Sequence, residues 1–284
     1  MKKALLFVFS IFTILFMTSC MGANRQSYET YLYGRYPQTK VSKDTIIEKL
    51  DAMLDKDRNE DGYFELEGKE YAKIWAYPKL NNTYLFRDEI YIREGRYYYY
   101  QVETITWRIM KTEGNYKYLI SDYILDSANY VYDQEVEDYS YDSSNIRAFV
   151  EGDFYNKAFS KETNKPLLTE VDIEKSKSVI TKLNTRIWIP SVYDVENKEY
   201  GFYSIDDSYA FSTDYSASKG LDVYHESPNA YFYRCAPYAT STTSYLDSDV
   251  MYYIDCYGKN ALSRDKNVLI NIGVRPCIRV EVKD

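Results

Sequence analysis

Apolar and polar positions alternate with period two along much of the chain, which is the signature of half-buried strands. The alternation is strongest in the last fifth, Tyr231–Val280, through Tyr231–Pro237, Met251–Asn260 and Asn267–Val280. These three stretches predict an antiparallel sheet on which the rest of the chain hangs. Tyr257-Gly258-Lys259-Asn260 reads as a turn, and Gly273 and Pro276 interrupt the last strand where a bulge or an edge tolerates them. Upstream, the same period predicts strands over Tyr31–Gln38, Tyr118–Ser121 and Ile187–Pro190. It also predicts a hairpin from Tyr63–Leu66 to Lys69–Trp75 and a strand pair over Tyr91–Met110 broken at Gly95.

Helical spacing is rarer. Ile46, Ile47, Leu50, Met53 and Leu54 share one face of a helix over Asp44–Leu54, with Thr45 and Glu48 spaced as a capping box. Ser143 and Ser144 cap a second helix that turns Ile146, Phe149 and Val150 inward; Phe154-Tyr155 and Ala158-Phe159 continue that layer. Ser191 caps a helical turn that ends before Gly201, and Gly220 closes a short helix over Thr213–Lys219. The acid-rich run Asp133–Asp142 reads as an exposed loop. Thr163–Lys182, charged with scattered Leu, Val and Ile, reads as a segment wrapped on the surface. No internal repeat is visible. Short strands interleaved with short helices and long loops give an irregular α+β domain.

The N-terminus changes the picture of where this domain works. Met1-Lys2-Lys3 precedes an apolar run, Ala4–Met17, then Thr18-Ser19-Cys20. A basic start, a short apolar core and small residues before a cut make an export signal. The run is short of the ~20 residues that span a bilayer. Met17-Thr18-Ser19-Cys20 resembles a bacterial lipobox, so Cys20 is the expected lipidation site. An ordinary signal cut near Gly22-Ala23 is the alternative. Residues 1–19 are then the signal, 20–30 a polar tether, and the protein sits lipid-anchored in the cell envelope, periplasmic or surface-exposed.

Composition narrows the partners. The formal net charge is −8, and loss of Lys2 and Lys3 with the signal makes it two units more negative. That argues against nucleic acid, whose phosphates need a basic surface. Tyrosine occurs 34 times and histidine once. Tyrosine suits wet, half-buried sheets, and it also suits surfaces that stack against sugars or peptides.

Candidate chemistry is sparse. A triad would have to use His225, which lies in a polar loop beside Glu226 and Ser227 with no nucleophile-elbow motif near it. One histidine and scattered cysteines lack zinc spacing, no Gly-rich phosphate loop is present, and no cofactor is implied. Asp57, Asn59, Asp61 and Gly62 occupy positions 1, 3, 5 and 6 of a calcium loop, but position 12 is Gly68 in place of a bidentate Glu. The run therefore reads as a solvated turn before a hairpin, with Asp57, Asn59 and Asp61 as the residual cation candidate. With Cys20 lipidated, at most one disulfide forms among the rest. Cys235 and Cys277 are the preferred pair, and Cys256 is the alternative partner.

Seven blocks then resemble, in order, the bacterial DUF6273 domain. They are Tyr33–Gln38; Ile105–Ile109; Leu119–Ser121 with Ile124–Asp126; Ser143–Arg147 with Asp153–Phe159; Thr213–Ala217; Tyr233–Pro237; and Gly273–Pro276. The resemblance implies one domain over residues 31–284 and, since that family has no established activity, no particular task. More distantly, Tyr233-Arg234-Cys235-Ala236 followed by Ile272-Gly273-Val274-Arg275 is similar to the end of the formylglycine-generating-enzyme domain. That resemblance implies a C-type-lectin-like α+β fold of antiparallel sheets and short helices. The oxidase chemistry of that enzyme needs a cysteine pair just upstream of the first motif, and Ser227–Tyr233 holds no cysteine. Trp107, Arg147, Arg234, Gly273, Arg275 and Pro276 are accordingly expected to be structural, with Arg275 tying loops to a strand end through its five donors. The leading expectation is a domain that binds a glycan, a peptide or another envelope protein. The rivals are an enzyme of the formylglycine-generating or hydrolytic kind and a structural envelope or adhesion component.

Overall fold

In the computed structural model, residues 27–130, 140–175, 179–243, 250–263 and 271–282 are described. The chain enters as β1 (Thr30–Lys40), which bulges between Leu32 and Arg35. Gly34 sits in that bulge at φ +65°, and a Cβ there would lie 2.7 Å from Phe159 Cε1. Only glycine fits both the backbone and the contact. Helix α1 (Asp44–Asp51) follows, capped by Lys43 with no side-chain hydrogen bond. The expected Thr45–Glu48 capping box is not formed, because the helix already begins at Asp44. It also ends short of Leu54, whose N–H is taken by the Asp57 carboxylate.

The hairpin β2 (Phe64–Leu66) and β3 (Lys69–Trp75) forms as expected. Its turn residues Glu67 and Gly68 both take positive φ, as a two-residue hairpin turn requires. Strand β4 (Tyr97–Glu113) is one continuous strand of 17 residues. The strand pair expected over Tyr91–Met110 is thus corrected: Gly95, at φ +75°, belongs to the turn before β4, and Tyr91 makes only an isolated bridge with Leu85. Short strands β5 (Tyr116–Ser121), β6 (Tyr123–Ile124) and β7 (Asp126–Ala128) come next.

Residues 133–139 of the acid-rich run lie outside the described residues. Its end, Ser140–Asp142, enters a buried turn with Tyr141 fully covered. Helix α2 (Asn145–Phe149), capped by Ser144 through the Arg147 N–H, passes through a π turn at Val150–Phe154 into α3 (Tyr155–Ala158). The segment expected to wrap the surface is instead a regular hairpin, β8 (Thr169–Lys175) and β9 (Val179–Thr185), in register from Thr169↔Thr185. Its alternation of Val171 and Ile173 with acids is diluted by charge, which hid the strands. Strand β10 (Ile187–Trp188), helix α4 (Ile205–Ser208), strand β11 (Phe211–Ser212) and helix α5 (Asp214–Ala217) lead to the C-terminal strands.

Those strands are β12 (Tyr238–Thr243), β13 (Met251–Ile254), β14 (Asn260–Ser263), β15 (Ile272–Val274) and β16 (Cys277–Glu281). They do not make one sheet. Five strands pair in the order β14-β13-β12-β15-β7, and β16 leaves to join a seven-stranded sheet in the order β10-β16-β5-β4-β3-β2, with β1 also on β4. The pairing of β12 with β15 is parallel. Tyr231–Pro237, expected as a strand, is a chain of turns in which Arg234 takes φ +72°. The result is an α+β fold of mostly antiparallel strands with few, short helices. Among the described residues no helix is long and apolar enough to cross a membrane.

Much of the tyrosine is core with a polar handle. Tyr36 donates to Asp126 Oδ2 at 2.6 Å, Tyr100 meets Ser218 Oγ at 2.5 Å, and Tyr238 donates to the Ser208 carbonyl at 2.7 Å. Each ring is buried, so each hydroxyl needs a partner. Helix α5 lies among these partners. Residues Thr213–Ser218 are all buried although four of the six are Ser, Thr or Asp. Their polar atoms are spent locally: Thr213 Oγ1 accepts from Ser216 N–H at 3.0 Å, and Ser218 Oγ donates to the Asp214 carbonyl at 2.8 Å.

Candidate functional site

Of the motif residues, Arg275 joins the two sheets, and the others brace a single sheet or a turn. Trp107 is buried and its indole N–H donates to the Tyr33 carbonyl at 2.7 Å. Arg108 and Arg275 are both almost fully buried at the junction between the sheets. Arg275 donates from Nε to the Ser121 carbonyl at 2.9 Å, and from one terminal nitrogen to the Ser208 carbonyl and to Tyr238 Oη, each at 3.2 Å. The Pro276 carbonyl accepts the Ser121 N–H at 2.9 Å. At Gly273 a Cβ would stand 2.6 Å from the Pro237 carbonyl, so the parallel β12–β15 contact requires glycine. Arg234 reaches Asp214 Oδ1 at 2.8 Å, and Arg147 binds the Asp142 carbonyl at 2.6 Å and Glu151 at 3.1 Å.

The other candidates are dispersed. Cys20 lies outside the described residues. No disulfide joins Cys235 to Cys277; with Cys256 they stand reduced. Cys277 starts β16 in the larger sheet, whereas Cys235 bridges Phe211 in the turns before the smaller one. The acids of the calcium-like run turn apart. Asp57 receives the Leu54 N–H at 2.7 Å, Asp61 binds Arg35 at 2.5 Å, and Asn59 Oδ1 receives the N–H groups of Asp61 and Tyr63 at 3.1 and 3.0 Å. Among the described residues no three of His, Cys, Asp and Glu converge as a metal site.

A cleft lies elsewhere, between the β8–β9 hairpin and the chain that leaves β10. It encloses about 440 Å³. Tyr118, Tyr141, Trp188, Tyr193 and Tyr200 supply its aromatic wall, and Glu170, Asp172, Asp194, Thr169, Ser191 and Ser241 its polar groups; among the described residues no Lys, Arg or His lines it. The walls are tied to the framework. Leu167 N–H bonds the Arg279 carbonyl at 2.8 Å, Arg186 bonds the Pro166 carbonyl at 2.7 Å, and Ser241 N–H bonds the Pro190 carbonyl at 2.9 Å.

Asp194 is the chemically distinctive group. Its Oδ2 accepts the Ser191 N–H at 2.8 Å and the Ser191 hydroxyl at 2.9 Å. Burial pushes its carboxyl above the usual carboxylate range, against the lowering effect of those two bonds. Burial likewise raises the Tyr200 hydroxyl, with the Asp194 charge adding to it. At the cleft's edge the exposed Lys182, on β9, bridges Glu170 at 3.3 Å and Asp172 at 2.6 Å on β8. The arrangement offers aromatic surface and hydrogen-bond acceptors, with three carboxylates against the one ammonium of Lys182 at its edge, which suits a neutral polyhydroxylated ligand and disfavours an anion.

Residues 114–282, more than half of the chain, match the family model described as a domain of unknown function, DUF6273. The chain belongs to the DUF6273 family. The blocks Tyr33–Gln38 and Ile105–Ile109 precede the matched span. No curated protein and no solved structure matches the chain. Most of the cleft of this DUF6273 domain, from Tyr118 to Ser241, falls inside the matched span, and Met110 falls outside it. Trp188 lay in a strand legible from the sequence. Tyr193, Asp194 and Tyr200 lay in a turn where only the surplus of tyrosine hinted at a surface.

Proposed function

We propose that this DUF6273 protein is a binding domain, exported and held at a membrane surface through a lipid on Cys20, that takes a neutral glycan in the cleft beside β8 and β9. What supports the reading is one observation: a cleft of about 440 Å³ whose described lining combines five aromatic side chains with carboxylates and hydroxyls and includes no Lys, Arg or His. Sugar rings stack their C–H faces on aromatic rings, and their hydroxyls donate to carboxylates. The likeness of the C-terminal motifs to C-type-lectin-like domains points the same way. The signal-like Met1–Cys20 segment supports the anchor.

The test is a glycan array probed with the full-length chain, followed by titration of the best ligand with Trp188 emission as the readout. Tyr193 is 65% exposed, so Tyr193→Ala leaves the core intact. Losing one stacked ring is worth about 1 to 1.5 kcal/mol, so affinity should fall about tenfold. Unchanged affinity in Tyr193→Ala, or no glycan bound at all, sinks this reading. Asp194 supports a second, hydrolytic reading, since burial raises its carboxyl and a raised carboxyl is better placed to donate to a leaving oxygen. Release of cleaved sugar from the bound glycan, abolished in Asp194→Asn, would establish it over simple binding. For the anchor, Cys20→Ser is expected to move the protein from the membrane fraction to the soluble one after cell lysis; continued membrane association would refute lipidation there.

A further inference from the structure

A second, smaller cleft of about 290 Å³ lies between loop 222–226 and the turn after β13. It collects groups that the first cleft does not use: Asp222, His225, Glu226, Tyr253, Cys256 and Tyr257 among them. Its walls are set in advance. Asp255 Oδ1 accepts the N–H groups of Tyr257 at 2.9 Å and Lys259 at 2.8 Å, which shapes the turn. Gly258, at φ +83°, packs so closely on α4 that a Cβ would meet the Ile205 carbonyl at 2.1 Å. Opposite, Tyr224 N–H bonds the Cys235 carbonyl at 2.8 Å, and the His225 ring lies edge-on to Tyr84 at 5.2 Å.

Two features set its chemistry. The first is a triangle of rings. Tyr224 and Tyr257 line the cleft with their rings edge to face at 5.8 Å, and Phe232, behind the lining, packs edge-on against them at 4.5 and 5.0 Å. The second is charge. Among the described residues, Asp222, Glu226 and Asp255 line the cleft against one cation, Lys79, which is already bound to Asp222 at 2.7 Å. Cys256 adds no thiolate, since burial and then the Asp255 charge push its thiol up to about 11. An anion entering here would meet unneutralised carboxylates and negative ring faces. A cation meets both as attraction, and a ring-face contact with an ammonium group is worth about 0.5 to 2 kcal/mol.

We propose that this second cleft binds an organic cation, recognising an alkylammonium group against the Tyr224 and Tyr257 rings and the Glu226 and Asp255 carboxylates. The site is independent of the glycan cleft, because none of these residues lines it. Cys256 makes the test direct. It is the partly exposed cysteine of the described residues, whereas Cys235 and Cys277 are fully buried. The full-length chain is treated with a maleimide in the presence of choline or of cadaverine, and labelled peptides are mapped by mass. Either or both of the two cations are expected to slow labelling of Cys256 about tenfold at saturation, while Cys235 and Cys277 stay unlabelled and report an intact fold. The neutral choline isostere 3,3-dimethylbutan-1-ol should give no protection. Tyr257→Ala and Glu226→Gln, both at exposed positions, should each raise the half-protecting concentration about tenfold. Protection by neither cation, equal protection by the neutral isostere, or unchanged half-protection in both variants would overturn the assignment.

Discussion

Raising the pH through 10 is expected to unfold this protein steeply, in a single step with the release of buried tyrosines. Burial pushes the hydroxyls of Tyr36, Tyr100 and Tyr141 well above their usual range; nearby carboxylates at Asp126, Asp214 and Glu151 add to it. Burial also raises Tyr215, to about 12. In the unfolded chain these groups lose their protons near pH 10. In the folded chain they keep them. The unfolded state therefore binds fewer protons above pH 10, and stability falls as pH rises; below pH 10 the contribution is fully present. Each such group costs about 1.4 kcal/mol per pH unit, so the three most buried ones together remove about 4 kcal/mol per unit. Against a usual total of about 5 to 15 kcal/mol, the fold should fail within about one to three units above pH 10. A titration of tyrosinate absorbance alongside circular dichroism measures it. The exposed tyrosines should titrate first and reversibly, and the rest in one jump with loss of structure. Smooth titration of all tyrosines with the dichroism unchanged would contradict the expectation.

The second large effect is expected at Asp126. Its carboxylate is fully buried and receives Tyr36 Oη at 2.6 Å, the Ser127 N–H at 2.7 Å and the Lys219 ammonium. Burial alone would lower the Lys219 ammonium, but the Asp126 and Tyr215 charges more than offset it and leave it raised. Its contribution is thus complete below the unfolded lysine value of about 10.4 and is lost above it, in the same direction as the tyrosines. Asp126→Asn strands that ammonium beside Phe149 and Tyr215 with no counter-charge. Breaking a buried pair from one side costs about 3 to 5 kcal/mol. Urea unfolding of Asp126→Asn, Lys219→Met and the double variant reads the coupling. The double variant should be markedly more stable than the sum of the single losses predicts. Strict additivity would show that the two charges do not depend on each other.

The local signals in the sequence carried far. The Glu67-Gly68 turn, the Ser144 cap and the short helix at Thr213 were all legible, because each is decided within a few residues. What escaped was decided at long range. Tyr231–Pro237 has strand alternation, yet Arg234 is drawn to Asp214, and the backbone turns at φ +72° to reach it. The β8–β9 hairpin hid behind its own charges because the exposed Lys182, Glu170 and Asp172 pair across the strands. The cleft was the least legible part. Its residues come from β4, β5, β8, β9, β10 and β12 and from the turns at Tyr141 and Tyr200, and no spacing in the sequence records their convergence.

One consequence follows from the passage of the chain through Arg275-Pro276. Strand β15 lies between β12 and β7, and β16 lies between β10 and β5, so ten consecutive residues fill an interior place in both sheets. Neither sheet can close until residues 272–281 have been synthesised. While the chain is being made, five strands of one sheet exist only as four separated by a gap, and the other sheet is split as well. Folding is therefore deferred to the end of synthesis and proceeds through contacts of large sequence separation, which are slow to form. Until that last stretch emerges, both sheets keep unpaired strand edges open to the solvent, so the nascent chain is most exposed to mispairing just before it is complete.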